Sequence, residues 1–451
     1  MTCTNAIVAN PKTSRSTPPA FVVLSFAGVL LEVGWWQVRQ LGDLRQHIAL
    51  FLTWYAILFT AFVALALYVV RRYDRVGASG ERAALWTVIV WALVFRLTLV
   101  SLTPTLSDDI YRYLWDGRVQ LAGVNPYRYA PNDPALASLR DLHWSFINHQ
   151  EIATIYPPLS QWIFRLAAGV SPTLLMQKIA LLLWDVATLI LLALVLPSWG
   201  RSPVLSLMYA WHPLVITEVA GSGHNDPLGI FWLMLGLWLW TRKRPHLAAA
   251  AWGIGTLGKI APAMMGLWLL ARRSRWRSLG WLLLTAGIGS LPFLRGLGHA
   301  AMGWDHYGRP WEFNSSLYAI LTWLGSAPWL ARTLCLGCWT AAALVIARRG
   351  NDPRVFAWML AALAVLCSPV VEPWYVLWLV PFLCLFHRTA WLCFTGTVIL
   401  SYQVLMHQAV CGVWHLEPWA QWFVYLPLYL WLAVAWCFRR RMPGELPVGW
   451  V

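Results

Sequence analysis

Charged residues are scarce in this chain of 451 residues, in which Asp, Glu, Lys and Arg together make up 12%, against about 25% in an ordinary soluble domain. Hydrophobic residues make up 59%, and the mean hydropathy is +0.56. A soluble core cannot hide so much apolar surface, so a water-soluble enzyme is excluded and lipid is the solvent. We predict an all-α polytopic membrane protein with about 12–14 transmembrane helices.

Several catalytic signatures are also missing. The sequence has no GxxxxGK[ST] phosphate loop, no HExxH pair and no cluster with metal-ligand spacing. Its eight cysteines do not show the spacing of a disulfide framework. A nucleotide-hydrolysing enzyme and a zinc enzyme are therefore disfavoured. We predict no metal site and no certain cofactor, and the sequence leaves the participation of a divalent metal open.

Basic residues give the chain a net charge of +15, but they occur in short clusters between apolar runs. This pattern encodes membrane topology, because Lys and Arg stay on the cytoplasmic side. It predicts a multi-pass protein with both termini in the cytoplasm and membrane lipid as a partner, and it disfavours a nucleic-acid partner. The predicted spans lie at about residues 20–38, 47–70, 84–104, 176–196, 203–220, 226–241, 278–295, 328–347, 355–371, 373–387, 389–410 and 418–438.

The predicted topology divides the chain into three parts. Residues 1–104 hold N-terminal transmembrane helices, and residues 105–175 form a large helical loop on the outer side. Residues 176–451 form a transmembrane bundle with outer turns that contact substrate. Most carboxylates then face outward, although acidic residues contribute little to topology. This asymmetry indicates that the chemistry takes place at the outer face.

Two segments depart from simple spans. Residues 156–170 begin beside two prolines and carry Arg165, so we predict a helix that lies in the membrane interface. Residues 246–271 are predicted to form two half-helices that meet at Gly258 and Lys259.

The strongest chemical signal is the pair of adjacent carboxylates at Asp108 and Asp109, directly after the third predicted span. Repulsion between neighbouring carboxylates raises the pKa of one of them, which suits a general base. The same residues also suit a helix N-cap, and both interpretations stay open. The segment that follows is predicted to be an amphipathic helix lying on the bilayer, with Arg112 and Asp116 on its polar side.

A polar turn between two predicted spans contains His224, Asn225 and Asp226 after two glycines. These side chains suit sugar hydroxyls or phosphate, although Asp226 also suits a helix cap.

Lys259 is a cation at membrane depth, which costs about 2.5–3.5 kcal/mol on insertion scales and marks a candidate partner for a lipid phosphate. The alternative is an ion pair with an intramembrane acid such as Asp185 or Glu218.

Glu372, Trp374 and Tyr375 lie on a turn at the predicted outer interface. Aromatic rings beside a carboxylate suit stacking on a sugar, and an ordinary interfacial anchor is the alternative. Arg96 is predicted to pair within the bundle, and Arg309 to line the outer cavity.

These segments together resemble GT-C glycosyltransferases, in particular the polyprenyl-phosphate-mannose-dependent α-mannosyltransferases of bacterial envelopes. The similarity runs in one order from about residue 100 to residue 385. The segments that carry it are Asp108-Asp109-Ile110-Tyr111, Trp115-Asp116-Gly117-Arg118, Gly123-Val124-Asn125-Pro126-Tyr127, Ile155-Tyr156-Pro157-Pro158-Leu159, His224-Asn225-Asp226, Lys259 and Pro373-Trp374-Tyr375.

The resemblance implies a GT-C-like fold in the bacterial inner membrane and a hexosyl transfer, with mannose as the favoured sugar. The donor would be a polyprenyl-phosphate hexose, and the acceptor an envelope glycan or glycolipid at the outer face. An outer-loop Asp would deprotonate the acceptor hydroxyl, which attacks the anomeric carbon with inversion. The two helices before the third span look like an addition to the simplest layout of this family.

The resemblance also assigns roles to particular residues. Asp109 would be the catalytic base, with Asp108 as second choice, and Lys259, His224 and Arg309 would bind the donor phosphate. The substrate contacts would be Arg112, Tyr156, Asn225, Asp226, Glu372, Trp374 and Tyr375.

Two other functions compete with the transferase. A transporter or flippase of lipid-linked sugars would also need buried charges and a broken helix, but it has little need for so long an outer loop. A non-catalytic membrane subunit would have dispensable outer carboxylates.

Overall fold

The computed structural model describes residues 19–294, 296, 298 and 311–441. The described residues form helices and no strand, with one isolated bridge between Phe313 and Val370, which confirms the all-α prediction. The longer helices are α1 (Ala20–Gln40), α2 (Ile48–Arg72), α3 (Glu81–Val100), α4 (Asp109–Leu121), α5 (Pro158–Val170), α6 (Leu174–Val195), α7 (Pro203–Ala210), α8 (Pro213–Gly221), α9 (Asp226–Thr241), α10 (Pro245–Gly258), α11 (Ala261–Leu270), α12 (Trp276–Ser290), α13 (Leu317–Trp323), α14 (Pro328–Arg349), α15 (Pro353–Cys367), α16 (Pro373–Phe386), α17 (Thr389–Gln408) and α18 (Pro418–Arg441).

Within these described ranges, seven helices are long and apolar enough to cross a membrane, namely α1, α2, α3, α6, α14, α17 and α18. The pair α7 and α8, bent by 53°, adds an eighth if it counts as one span. The chain is therefore a polytopic membrane protein, and the described residues contain fewer full-length spans than the 12–14 predicted. Four of the predicted spans are helices of fewer than 18 residues, namely α9, α12, α15 and α16. A fifth is the bent pair α7 and α8, where Pro213 begins a new helix.

The predicted pair of half-helices is confirmed. Helix α10 ends at Gly258, and Lys259 is extended, with φ −153° and ψ 141°. Helix α11 then begins at Ala261. The break removes Lys259 from helical geometry and leaves its side chain beside the loop of residues 105–175.

The loop of residues 105–175 has a hydrophobic cluster of its own, which includes Tyr113, Trp115 and Phe164. Helix α4, two short 3-10 helices (Pro134–Leu139 and Leu142–Phe146) and α5 make up its regular structure. Helix α5 confirms that residues 156–170 contain a short separate helix. The loop is thus a packed unit on the bundle.

Helix α4 does not lie on a surface, and that prediction is wrong. Its polar stripe is buried, with Arg112 6% and Asp116 2% exposed. A Cβ atom added at Gly117 would come within 2.3 Å of the backbone oxygen of Phe164 in α5. The glycine therefore lets α4 and α5 approach closely enough to enclose the polar stripe.

Arg96 of α3 pairs within the bundle, as predicted, and its partner is Asp185 of α6. The Arg96 Nε atom lies 2.5 Å from Asp185 Oδ2, and both side chains are at most 1% exposed. Arg96 also donates to the carbonyl of Ala210 at 2.6 Å, while the Tyr209 hydroxyl donates to Asp185 at 2.7 Å. This buried network joins α3, α6 and α7.

Replacing Asp185 by Asn should destabilise the protein by about 3–5 kcal/mol, because it leaves the Arg96 guanidinium buried without a counter-charge. The measurement is reversible denaturant unfolding in detergent, followed by circular dichroism. Glu151→Gln is the matched control, since Glu151 is 54% exposed beside His149 and should change stability by no more than about 0.5 kcal/mol. Equal stability of the two variants would contradict a structural role for the pair.

Candidate active site

Asp109 lies at the first residue of α4, where two cavities meet. The first cavity, of about 110 Å³, extends towards Lys259 and Tyr156. The second, of about 280 Å³, extends towards Asp108 and Glu372. The predicted site residues that line the first cavity are Asp109, Arg112, Tyr156, Lys259, Trp374 and Tyr375. Side chains that are far apart in the sequence therefore converge on one carboxylate.

The Asp109 carboxylate is mostly enclosed, with 19% of the side chain exposed. The side-chain amide of Asn148 donates to its Oδ1 at 3.4 Å. Burial raises the pKa of Asp109, repulsion from Asp108 adds to the rise, and Lys259, Asn148 and Tyr156 oppose it. A carboxylate with a raised pKa in a cavity is a stronger proton acceptor than one in water.

Asp108 has different surroundings from its neighbour. Its Oδ1 accepts a hydrogen bond at 2.9 Å from Arg45, in the loop between α1 and α2. Asp108 is the N-cap residue of α4, yet its side chain makes no capping hydrogen bond, so the alternative that the pair simply caps the helix is wrong. The ion pair with Arg45 distinguishes the two carboxylates.

Lys259 lines the first cavity, with 21% of its side chain exposed. Its Nζ donates to Asn225 Oδ1 at 2.8 Å and lies 3.2 Å from Asp226 Oδ2. The alternative partners are wrong, because Asp185 pairs with Arg96 and Glu218 accepts from Tyr402 at 3.0 Å. An ammonium has three donors, and these two bonds use two of them.

The turn of His224, Asn225 and Asp226 is buried, with no side chain more than 1% exposed. Asp226 does not cap α9, because its carboxylate accepts from Trp378 at 2.7 Å and faces Lys259. The turn needs Gly223, whose φ is +79°, a conformation that glycine adopts without strain. Asn225 and Asp226 therefore fix the position of the Lys259 ammonium through their side-chain oxygens.

His224 lies directly behind Asp109. Its Nδ1 is 3.9 Å from Asp109 Oδ2, its Nε2 is 3.3 Å from Glu218 Oε2, and its ring stacks on Trp374 at 4.0 Å between centroids. Burial and the charge of Lys259 keep the pKa of His224 well below its usual value, so the imidazole is neutral. The imidazole ring therefore packs against both the Asp109 carboxylate and the Trp374 ring.

Glu372 precedes α16 and lines the second cavity, with 5% exposed. Burial, together with repulsion from Asp109, raises the pKa of Glu372 to about 8, while a hydrogen bond with Trp311 opposes the rise. Trp374 lies on the wall shared by the two cavities, and Tyr375 lines the first. Glu372 is therefore mainly protonated at neutral pH.

Arg112 lines the first cavity but makes its bonds within the loop. Its Nε lies 3.0 Å from Asp116 Oδ1, and a terminal nitrogen donates to the carbonyl of Ile152 at 2.7 Å. Arg309 falls outside the described residues. Among the residues that are described, no group of three or more His, Cys, Asp and Glu side chains is arranged to hold a metal ion.

Sequence patterns missed Arg45, Asn148 and Trp378. Arg45 follows Asp43 in a short polar break between two spans, and that break is the only local signal for it. Trp378 is three residues after Tyr375 in a 3-10 helix and so shares its face, whereas Asn148 lies in an irregular segment without a motif.

A family model described as "Alpha-(1->6)-mannopyranosyltransferase, N-terminal domain" matches residues 20–273, more than half of the 451-residue chain. No curated protein and no solved structure matches the chain significantly. Because the matched range contains α1 and α2, the interpretation of these helices as an addition to the family layout is wrong. The resemblance of the sequence motifs to mannosyltransferases is confirmed. The chain thus belongs to the alpha-(1->6)-mannopyranosyltransferase family and is a membrane mannosyltransferase.

Proposed function

We propose that the protein transfers a mannosyl residue from polyprenyl-phosphate mannose to an envelope glycan or glycolipid, with inversion at the anomeric carbon. The reaction takes place at the outer face of the bacterial inner membrane, and both termini lie in the cytoplasm. Neither a nucleotide nor a nucleic acid takes part. The observation that carries the proposal is that Asp109, a carboxylate with a raised pKa, and Lys259, a lysine ammonium, line the same cavity.

The two groups match the two ends of the reaction. Asp109 accepts the proton of the acceptor hydroxyl while the oxygen of that hydroxyl bonds to the anomeric carbon. The bond from that carbon to the phosphate oxygen breaks, and the electron pair leaves with the polyprenyl phosphate. Negative charge then grows on the phosphate, where the Lys259 ammonium stabilises it.

The remaining predicted residues take roles that follow from their positions. Tyr156, Trp374 and Tyr375 line the first cavity and contact the donor sugar. Arg112 also lines this cavity, and its hydrogen bond to the carbonyl of Ile152 connects α4 to a later segment of the loop. Asn225 and Asp226 orient Lys259, and the burial of His224 against Asp109 supports a positioning role over direct phosphate binding. Glu372 faces the second cavity, and Arg309 stays a predicted phosphate contact.

Asp109→Asn should lower kcat by about 10²–10⁴-fold, the usual contribution of a general base, while Asp108→Asn keeps most of the activity. The assay reconstitutes each protein in vesicles with radiolabelled polyprenyl-phosphate mannose and envelope acceptor, and measures the labelled product. Normal turnover by Asp109→Asn would overturn the assignment of the base. Donor movement across the bilayer without transfer would instead favour a flippase.

The acidic limb of kcat/KM should follow the ionisation of Asp109. The base works ionised, so activity is present above its raised pKa and is lost as the pH falls through it. Asp108→Asn removes a repulsion that raises this pKa, and it should move the limb to lower pH. Lys259→Gln removes an attraction that lowers it, and it should move the limb to higher pH. Shifts in the same direction would contradict Asp109 as the titrating group.

Lys259→Gln should also lower kcat by about 10²–10³-fold, because the leaving phosphate loses its stabilising cation. Arg165→Gln is a matched loss of positive charge on an exposed part of α5, and it should leave kcat unchanged. If Lys259→Gln raised only the donor KM, the ammonium would bind the donor without stabilising the departing phosphate.

A further inference from the structure

The second cavity shares Asp109 with the first but is not lined by Lys259, and distant parts of the chain build it. Arg45 comes from the α1–α2 loop, Glu372 directly precedes α16, which contains Trp374, Gln408 ends α17, and Trp414 lies between α17 and α18. Its volume is about 280 Å³, near the lower end of small-molecule sites, at roughly 300 Å³.

Aromatic rings form one side of this cavity. Trp414 lies 6.0 Å from Trp311 and 5.5 Å from Phe313 between ring centroids, and 40% of Trp414 is exposed. Donors and acceptors complete the lining, among them Gln408 and Arg45. A pyranose has apolar C–H faces and a rim of hydroxyls, so it fits flat rings flanked by polar groups.

The charges of this cavity exclude a phosphate. Its acids are Asp108, Asp109 and Glu372, and its one described cation, Arg45, already pairs with Asp108. The pKa of Glu372, raised to about 8, keeps that side chain mainly neutral at pH 7. A ligand with its own negative charge would be repelled by the Asp109 carboxylate, whereas a neutral ligand would not.

We infer that the second cavity seats the terminal sugar of an uncharged carbohydrate acceptor, which stacks on Trp414 and turns a hydroxyl towards Asp109. The inference rests on the proposed function, since it gives the acceptor a site separate from the donor cavity. Asp109 lines both cavities, so it can reach a hydroxyl on one side while the anomeric carbon lies on the other. The α1–α2 loop thereby takes part in acceptor recognition through Arg45.

The test compares Trp414→Ala with wild type in vesicles, with polyprenyl-phosphate mannose as donor and octyl mannoside as acceptor. Loss of one stacking face should raise the acceptor KM about tenfold, with the donor KM unchanged and with recovery in Trp414→Phe. Trp419→Ala is the matched control, because Trp419 is 49% exposed on α18 and should leave both constants unchanged. An unchanged acceptor KM, or an equal rise in the donor KM, would overturn the inference.

A second arm tests the charge of the acceptor and does not need turnover. Saturation-transfer NMR, without donor, measures binding of octyl mannoside and of its 6-carboxylate analogue to wild-type, Asp109→Asn and Trp414→Ala protein. Octyl mannoside should bind and lose affinity about tenfold with Trp414→Ala, and the carboxylate analogue should bind more weakly to wild type than octyl mannoside. Equal binding of both probes to wild type, or no effect of Trp414→Ala, would contradict the acceptor site. If wild type transferred nothing but this arm succeeded, the proposed reaction alone would fail.

Discussion

The carboxylate of Asp116 connects separate stretches of the loop of residues 105–175. It accepts from Arg112 at 3.0 Å within α4, from Thr154 at 2.5 Å in the return segment, and from Gln161 at 2.8 Å in α5. These partners come from three separate stretches of the loop, and the acid is 2% exposed. A buried charge persists only with such complete hydrogen bonding. The position of Asp109 at the start of α4 depends on this network.

Two cavities of different charge share the Asp109 carboxylate. The Lys259 ammonium, held by Asn225 and Asp226, lines the first, while the second contains the Arg45–Asp108 ion pair and the mainly protonated Glu372. In the proposed reaction, the anionic donor and the neutral acceptor therefore have separate cavities before either binds. Preorganised charges of this kind stabilise a transition state without reorganisation during the reaction.

Much of the architecture was predictable from local patterns. Scarce charge and long apolar runs predicted the membrane class, and a glycine followed by an intramembrane lysine predicted the break at Lys259. The number of full-length spans was not predictable, because hydropathy does not show how many residues of an apolar run form one continuous helix. The burial of α4 was also missed, since its polar stripe resembles that of a surface helix until Gly117 is seen against Phe164.

The sequence by itself determined the main chemical groups of the site, because the carboxylate pair, the lysine and the aromatic turn are each visible as local motifs, whereas Arg45 and Asn148 belong to no motif. Only the tertiary structure decided how those groups are used. The partner of Asp108 is Arg45, 63 residues away, and the partner of Lys259 is Asp226, 33 residues away. Such pairings depend on how helices pack across the bundle, and neither periodicity nor composition contains that information.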